Sequence, residues 1–448
     1  MTTGWSEPFS TVDELCCYHD HPDEPNNVHL EVRMPGHLDA QTLRAAVAAT
    51  LAAEPRARAR RMAAGSLSRR LRWEAPAQPD HDALSFGSWA DEAGLTGLRS
   101  RFLASAPPLA FSPPLRLLLA AGPSEDRLIV NAHHAALDGI SCLALVRSIA
   151  CRYSNLASGQ SGRAEPGAHP PVPAAHPIPA ASPAPRAADL PARRGRLVPG
   201  RAVARIAAER GGGPRAGYGF HLLPPIDVTG LTAARSRFAV TVNDLLVCAL
   251  IAAIADWNAA HGTRPRPIRI TVPAGGRPSG ERTELGNLSR LATVSARWPA
   301  ADRSDIVGLL DQVTSQIRGM KEACLPQVDG LSAALTRAWL PAGVKRAVLR
   351  ALLTSVGPAV IDTSLLTNLG AVAEPPRFGE LAAAGLVFST SAHMPRGLSV
   401  GAITVAGKLQ ICLRYRRTLL DEPAAARFAA CFSRALDELV SRAAAATG

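Results

Sequence analysis

Residues Leu128–Tyr153 read LIVNAHHAALDGISCLALVRSIACRY, and the rest of the chain is best understood outward from this stretch. Leu128–Val130 is a short apolar run with the composition of a strand. From about Ile140, the apolar positions Cys142, Leu145, Val146, Ile149 and Tyr153 recur at helical spacing and share one face. Between them, Asn131–Gly139 carries NAHHAALDG, with two adjacent histidines and an aspartate four residues after the second. A loop held between a strand and a helix projects its side chains from two rigid flanks, a sound place for chemistry. An imidazole titrates near pH 6.5 and can take a proton from a hydroxyl or an amine at neutral pH. Such a base needs a fixed ring. Asp138 is close enough in sequence to fold back toward the loop, where it would orient either the ring or the backbone. Gly139 lets the chain turn without a Cβ clash. The bland alternative is a partly buried polar pair at a strand end, the commoner fate of two adjacent histidines. Metal binding is disfavoured, because the His pair and one Asp lack a convincing third ligand.

Strands and helices mix on both sides of this junction. Asn27–Met34 alternates Val28, Leu30 and Val32 with polar neighbours and predicts a half-buried strand. After Leu38-Asp39, the segment TLRAAVAATLAA places Leu43, Val47 and Leu51 on one helical face. Ten prolines fall between residues 161 and 200, which predicts an extended, mostly irregular linker. Beyond it, Tyr218–Leu223 reads as a strand, and Val242–Ala259 as a helix opened by a capping-box-like Thr241 and Asp244. Pro267–Pro273 and Lys408–Arg416 alternate as strands, the latter through Leu409, Ile411, Leu413 and Tyr415. Pro423–Ala445 reads as a final helix. No internal repeat of short fixed period is present.

The 448 residues predict two or three domains and a large core. Apolar residues make up 47% and charged residues 19%, which argues against a chain disordered throughout. The longest strongly apolar run, Leu245–Ala255, is about half of what a bilayer-crossing helix needs. Met1–Ser10 has neither the basic nor the apolar region of a signal peptide, so a cytoplasmic protein without a membrane span is expected. The eight cysteines show no CxxC spacing, and those among apolar residues (Cys142, Cys151, Cys248, Cys412) read as small buried hydrophobes in a reducing compartment. Net charge is +12, yet the arginines that dominate it are scattered and aromatics are only 4%, so nucleic acid is not expected as a partner. The same charge would attract an acidic protein or a phosphorylated substrate.

His133-His134-Ala135-Ala136-Leu137-Asp138-Gly139 matches HHxxxDG, and in this the chain resembles the condensation-domain acyltransferase superfamily. That group includes nonribosomal-peptide condensation domains, polyketide-associated acyltransferases, wax ester synthase/diacylglycerol acyltransferases and chloramphenicol-acetyltransferase-like enzymes. The surrounding order is similar as well. Asn27–Arg60 resembles the opening strand and helix, and Pro114-Leu115-Arg116 precedes the His motif. Thr241-Val242-Asn243-Asp244, then VPAGGR at 272–277 with Leu285-Gly286-Asn287, resemble the wax-synthase-like branch. Thr367-Asn368-Leu369-Gly370 resembles a late N-x-G strand. The resemblance covers most of the chain outside the proline-rich stretch.

The resemblance implies an α+β fold of two-layer sandwiches, with two chloramphenicol-acetyltransferase-like halves in a V around a central tunnel. Residues 1–157 would form the half carrying HHxxxDG, 158–215 a Pro/Ala-rich linker and 216–448 the second half. It implies His134 as general base and His133 as support. Asp138 would be structural, with Arg277 as its partner. Gly139 would give the turn room and place its N–H near a developing oxyanion. Asn243 and Asp244 would cap and pack a helix in preference to touching substrate, and Asn368 would make strand-end hydrogen bonds or line the tunnel. The absence of a DFGWG motif argues against the plant-type branch. No carrier or adenylation segment accompanies the motif, so a free-standing enzyme is implied; a monomer that uses no cofactor or metal is expected. It would move an acyl group from a carrier-protein or coenzyme A thioester to a hydroxyl or amine of a specialised metabolite. The alternatives are a wax ester synthase/diacylglycerol acyltransferase-type enzyme using acyl-CoA and a lipid alcohol, and a non-catalytic protein that docks a carrier.

Overall fold

A computed structural model describes residues 4–65, 67–159, 203–273, 285–298, 305–322, 339–355, 357 and 361–445. The prolines between 161 and 200, and Arg277, lie outside the described residues.

The first half is a helix-backed sheet. Its strands lie in the order Gly385–Thr390, Asn27–Met34, Asp126–His133, Leu115–Ala121, Leu84–Ser88. All neighbours are antiparallel except the last pair. Leu30 faces Val130 across one ladder and Phe388 across the other, so the apolar alternation sets the register. Helices Ala40–Ala53 and Gly139–Ala157 pack together over this sheet. The helical faces expected from the spacing are the buried ones: Leu43, Val47 and Leu51 in the first, Cys142, Leu145, Val146, Ile149 and Tyr153 in the second. Cys151 is exposed, contrary to its apolar context in the sequence, because the helix turns it away from the face that carries Ile149 and Tyr153.

The second half repeats the plan. Its strands run Leu291–Ala296, Ile268–Pro273, Ser364–Val372, Leu398–Val405, Lys408–Arg416, Tyr218–Leu222, with two parallel pairings at its centre. Helices Val242–Ala260, Ile306–Glu322 and Glu422–Ala445 share its apolar core. Val242–Ala260 is long and apolar enough to cross a membrane by composition, but 78% of its apolar window is buried inside the fold. Its start is a full capping box: the Asp244 N–H donates to Thr241 Oγ1 at 3.2 Å, and the Thr241 N–H to Asp244 Oδ2 at 2.8 Å. The α+β class expected from the sequence is therefore the one observed.

The halves are joined through the strand Gly385–Thr390, which leaves the chain of the second half and pairs with Asn27–Met34 in the first. Where it passes Leu398–Val405, the contact is backbone on backbone. A Cβ on Gly401 would sit 2.1 Å from the Phe388 carbonyl oxygen. Here glycine is required by space.

This junction also changes the reading of two strands. Alternation predicted one polar, solvated face for Asn27–Met34 and for Lys408–Arg416. In the structure, His29, Glu31, Arg414 and Arg416 are buried as well, because those faces meet between the halves. Several of their polar groups find partners there. Arg99 forks onto Glu31 at 2.7 and 3.0 Å. Arg414 donates to the Asn27 side chain and carbonyl at 2.5 and 3.2 Å, with its guanidinium 4.2 Å over the Tyr218 ring. Burial draws the Arg414 guanidinium down to about 10.

Candidate active site

The two histidines fall at the end of the strand Asp126–His133 and are pinned by backbone first. His133 N–H donates to Pro114 O and His134 N–H to Asn26 O, both at 2.9 Å. The turn closes on His133 O, which accepts from Ala136 and Leu137. Arg56, itself paired with Asp13 at 2.9 Å, donates to the Ala136 carbonyl at 3.3 Å.

His133 is buried, and its Nδ1 accepts from the Ala135 N–H at 3.0 Å. Its proton must then sit on Nε2, which lies 3.6 Å from Asp20 Oδ2. With both nitrogens engaged, His133 braces the turn.

His134 is half-buried. Its ring hydrogen-bonds its own backbone carbonyl, and only Nδ1 is close enough along the side chain to do so. A carbonyl accepts only, so Nδ1 carries the proton and Nε2 presents a lone pair. Burial pulls the imidazole below its ordinary value, against the opposing charge of Asp138. The neutral form therefore persists at pH values where a free histidine is already protonated.

Asp138 caps the helix Gly139–Ala157. Its Oδ1 accepts from the Ser141 N–H at 2.8 Å and its Oδ2 from the Leu288 N–H at 3.1 Å. The carboxylate thus orders the backbone at the helix start, one of the two options open in the sequence. Asp138→Ala removes a cap and leaves the buried Ser141 N–H and the more exposed Leu288 N–H without their carboxylate. It is expected to lower stability by about 2–4 kcal/mol, as the shift of a denaturant midpoint will show.

Gly139 begins the helix under a ceiling. A Cβ there would lie 2.6 Å from Phe388 Cε2 and 2.8 Å from Leu369 Cδ2. The residue is needed for close packing beneath the joining strand.

The other expected site residues are more scattered. Asp244 is buried in its capping box and Asn243 is half-buried beside it, in the second half's core helix. Asn368 is half-buried, and its Oδ1 accepts from the Gly370 N–H at 2.9 Å. Its neighbour Leu369 is the one that reaches Gly139.

Three contributors were not singled out as site residues. Asn26 holds the His134 N–H through its carbonyl and accepts from Ser391 Oγ at 2.8 Å. Asp20 faces His133. Asn287 donates to the His134 carbonyl at 2.8 Å. Only Asn287 had a signal, its place in the LGN similarity. Its neighbour Gly286 accepts from the Asp138 N–H at 3.1 Å and exchanges hydrogen bonds with Ser141 Oγ. Segment 285–288 of the second half is thus wrapped around the motif of the first. A cavity of about 290 Å3 opens elsewhere, between Ala252, Asp256, Trp298 and Arg434, and no motif residue lines it. Among the described residues, no group of three metal-ligating side chains is present.

Two solved structures share the architecture. The first condensation domain of the calcium-dependent antibiotic synthetase, in complex with a substrate analogue, superposes with a TM-score of 0.69 at 15% identity, over 97% of each chain. The wax ester synthase/diacylglycerol acyltransferase from Marinobacter aquaeolei VT8 superposes with a TM-score of 0.59 at 14% identity, over 98% of this chain and all of that one. The chain shares the fold of these two proteins. No family model matches the chain. In sequence it is 30% identical over 439 residues to the uncharacterized protein Rv2305 of Mycobacterium tuberculosis H37Rv, covering 95% of this chain and 97% of that protein. The chain belongs to the family of Rv2305.

Proposed function

We propose that this protein is a condensation-type acyltransferase with His134 as its general base. The observation that carries the reading is the His134 ring: half-buried, its Nδ1 committed to its own carbonyl, its Nε2 left basic. In the proposed reaction an acceptor hydroxyl or amine approaches along a passage between the halves. Nε2 takes its proton as the oxygen or nitrogen bonds to the thioester carbonyl carbon. The tetrahedral oxyanion then collapses, the C–S bond breaks, and the imidazolium returns its proton to the departing thiolate. The Gly139 N–H, at the helix start, is the donor we assign to the oxyanion. His133 and Asp138 hold the turn and touch no reacting atom.

The net charge of +12 suits either donor, an acidic carrier protein or phosphorylated coenzyme A. We place the acceptor among specialised metabolites. The Thr241–Asp244 and Leu285–Asn287 similarities favour a second reading, in which acyl-CoA is transferred to a lipid alcohol. A protein that only docks a carrier would bind one and turn nothing over.

The test is thiol release from a series of acyl-CoA and acyl-carrier thioesters, with alcohols and amines as acceptors, and product read by intact mass. Acceptor-dependent transfer that vanishes in His134→Ala supports the proposal. Transfer undiminished in that variant overturns it. A palmitoyl-CoA reaction with a fatty alcohol separates the lipid reading from the metabolite one.

A pH prediction follows. Only neutral His134 can accept a proton, and burial lowers its pKa, so the acid limb of kcat/KM should have its midpoint below the ordinary imidazole value of about 6.5. A midpoint above that value contradicts the assignment.

A further inference from the structure

Asn287 stands where two halves and one histidine meet. It is buried, with 2% of its surface exposed. Its Nδ2 lies 2.8 Å from the His134 carbonyl oxygen and 3.4 Å from His134 Nδ1. The amide orientation is fixed from both ends. The group near the carbonyl must be a donor, and the other end, Oδ1, accepts from the Ser289 N–H at 3.3 Å. Nδ2 also lies 3.4 Å from Cys16 Sγ, on the helix Thr11–His19. Nδ2 and a protonated Nδ1 cannot bond each other, since both only donate. Both instead converge on the one carbonyl oxygen, which has two lone pairs to offer.

We propose that Asn287 is a positioning residue for His134: it anchors the carbonyl that in turn anchors Nδ1–H, leaving Nε2 as the basic nitrogen. The inference rests on His134 being the base. It makes the base dependent on the second half of the chain. The anchoring amide comes from segment 285–288, and the neighbours of Asn287 bond the Asp138 amide, the Asp138 carboxylate and Ser141. Docking of that segment and orientation of the ring are then one event. Without Asn287, the His134 carbonyl keeps only its own ring as partner. The ring becomes free to swing, or to carry its proton on Nε2, where it cannot act as a base.

The experiment uses full-length protein labelled with 15N-histidine. Long-range proton–nitrogen spectra report the tautomer of each ring, and His134 is assigned by its absence in His134→Ala. Wild-type protein should show His134 as a single Nδ1–H tautomer. Asn287→Ala should show a mixture. Asn287→Asp keeps the shape and the acceptor for Ser289, so it guards against loss of fold; it should also lose the pure tautomer, and its carboxylate should move the acid limb to higher pH. With the acyl donor found above, both variants should lose roughly 10²-fold in kcat with KM unchanged. A pure Nδ1–H tautomer or a wild-type kcat in a folded variant overturns the proposal. The two levels of failure separate cleanly. If His134→Ala is fully active, the base assignment falls and takes this inference with it. If His134→Ala is inactive while both Asn287 variants behave as wild type, only the role of Asn287 falls.

Discussion

His134→Ala should lower acyl transfer by roughly 10²–10⁴-fold, the usual contribution of a positioned general base. The fold should survive, because the bonds that pin this residue are made by its backbone: its N–H to Asn26 and its carbonyl from Asn287, both kept by alanine. The ring is half-buried and caps no helix. A thermal unfolding midpoint close to wild type, together with the lost rate, would assign the loss to chemistry. A comparable loss in His133→Ala would come with lost stability, since that ring accepts from the Ala135 N–H and faces Asp20 inside the fold.

The second large effect is structural. Gly401→Ala puts a methyl group 2.1 Å from the Phe388 carbonyl oxygen, 2.9 Å from its carbonyl carbon and 3.0 Å from Ser389 Cα. These are backbone atoms of a strand already hydrogen-bonded to Asn27–Met34, so no rotamer change relieves the clash. Overpacking of cores costs about 1–3 kcal/mol where side chains can adjust, and here about 3 kcal/mol or more is expected. Phe388 also roofs Gly139, so the displacement should reach the motif and lower activity too. Equilibrium denaturation reads the first effect and acyl transfer the second. An unchanged denaturation midpoint would mean that the strand does not lie against Leu398–Val405.

Much of this architecture is readable before any coordinates. The strands Asn27–Met34 and Lys408–Arg416 have the bounds that their alternation predicts, and the helix at Val242 begins with the capping box that Thr241 and Asp244 suggest. Short-range signals suffice there, because each half has one apolar face per element. The opposite faces are another matter. His29, Glu31 and Arg414 sit at positions that alternation assigns to water, and what buries them comes from far along the chain. No local pattern announces that residues 385–390 complete a sheet begun at residue 27. The motif itself is local and visible, whereas its supports, Asn26, Asp20 and Asn287, are polar residues whose partners are set by tertiary contact. For Asp138, the helix-capping role follows from its position just before an apolar helical run.

The strand Gly385–Thr390 has a consequence for how the polypeptide is made. By the time a ribosome has passed His133, the other four strands of that sheet have been synthesised, yet the partner for Asn27–Met34 is still some 250 residues away. At about 5–20 residues per second, the gap lasts roughly 13–50 s. Through that interval the nascent chain carries an open ladder of amides and carbonyls on an otherwise formed sheet, a template for pairing with any passing strand, including one from a neighbouring copy on the same message. Shielding by a chaperone during translation would matter more for this protein than for one whose halves close independently.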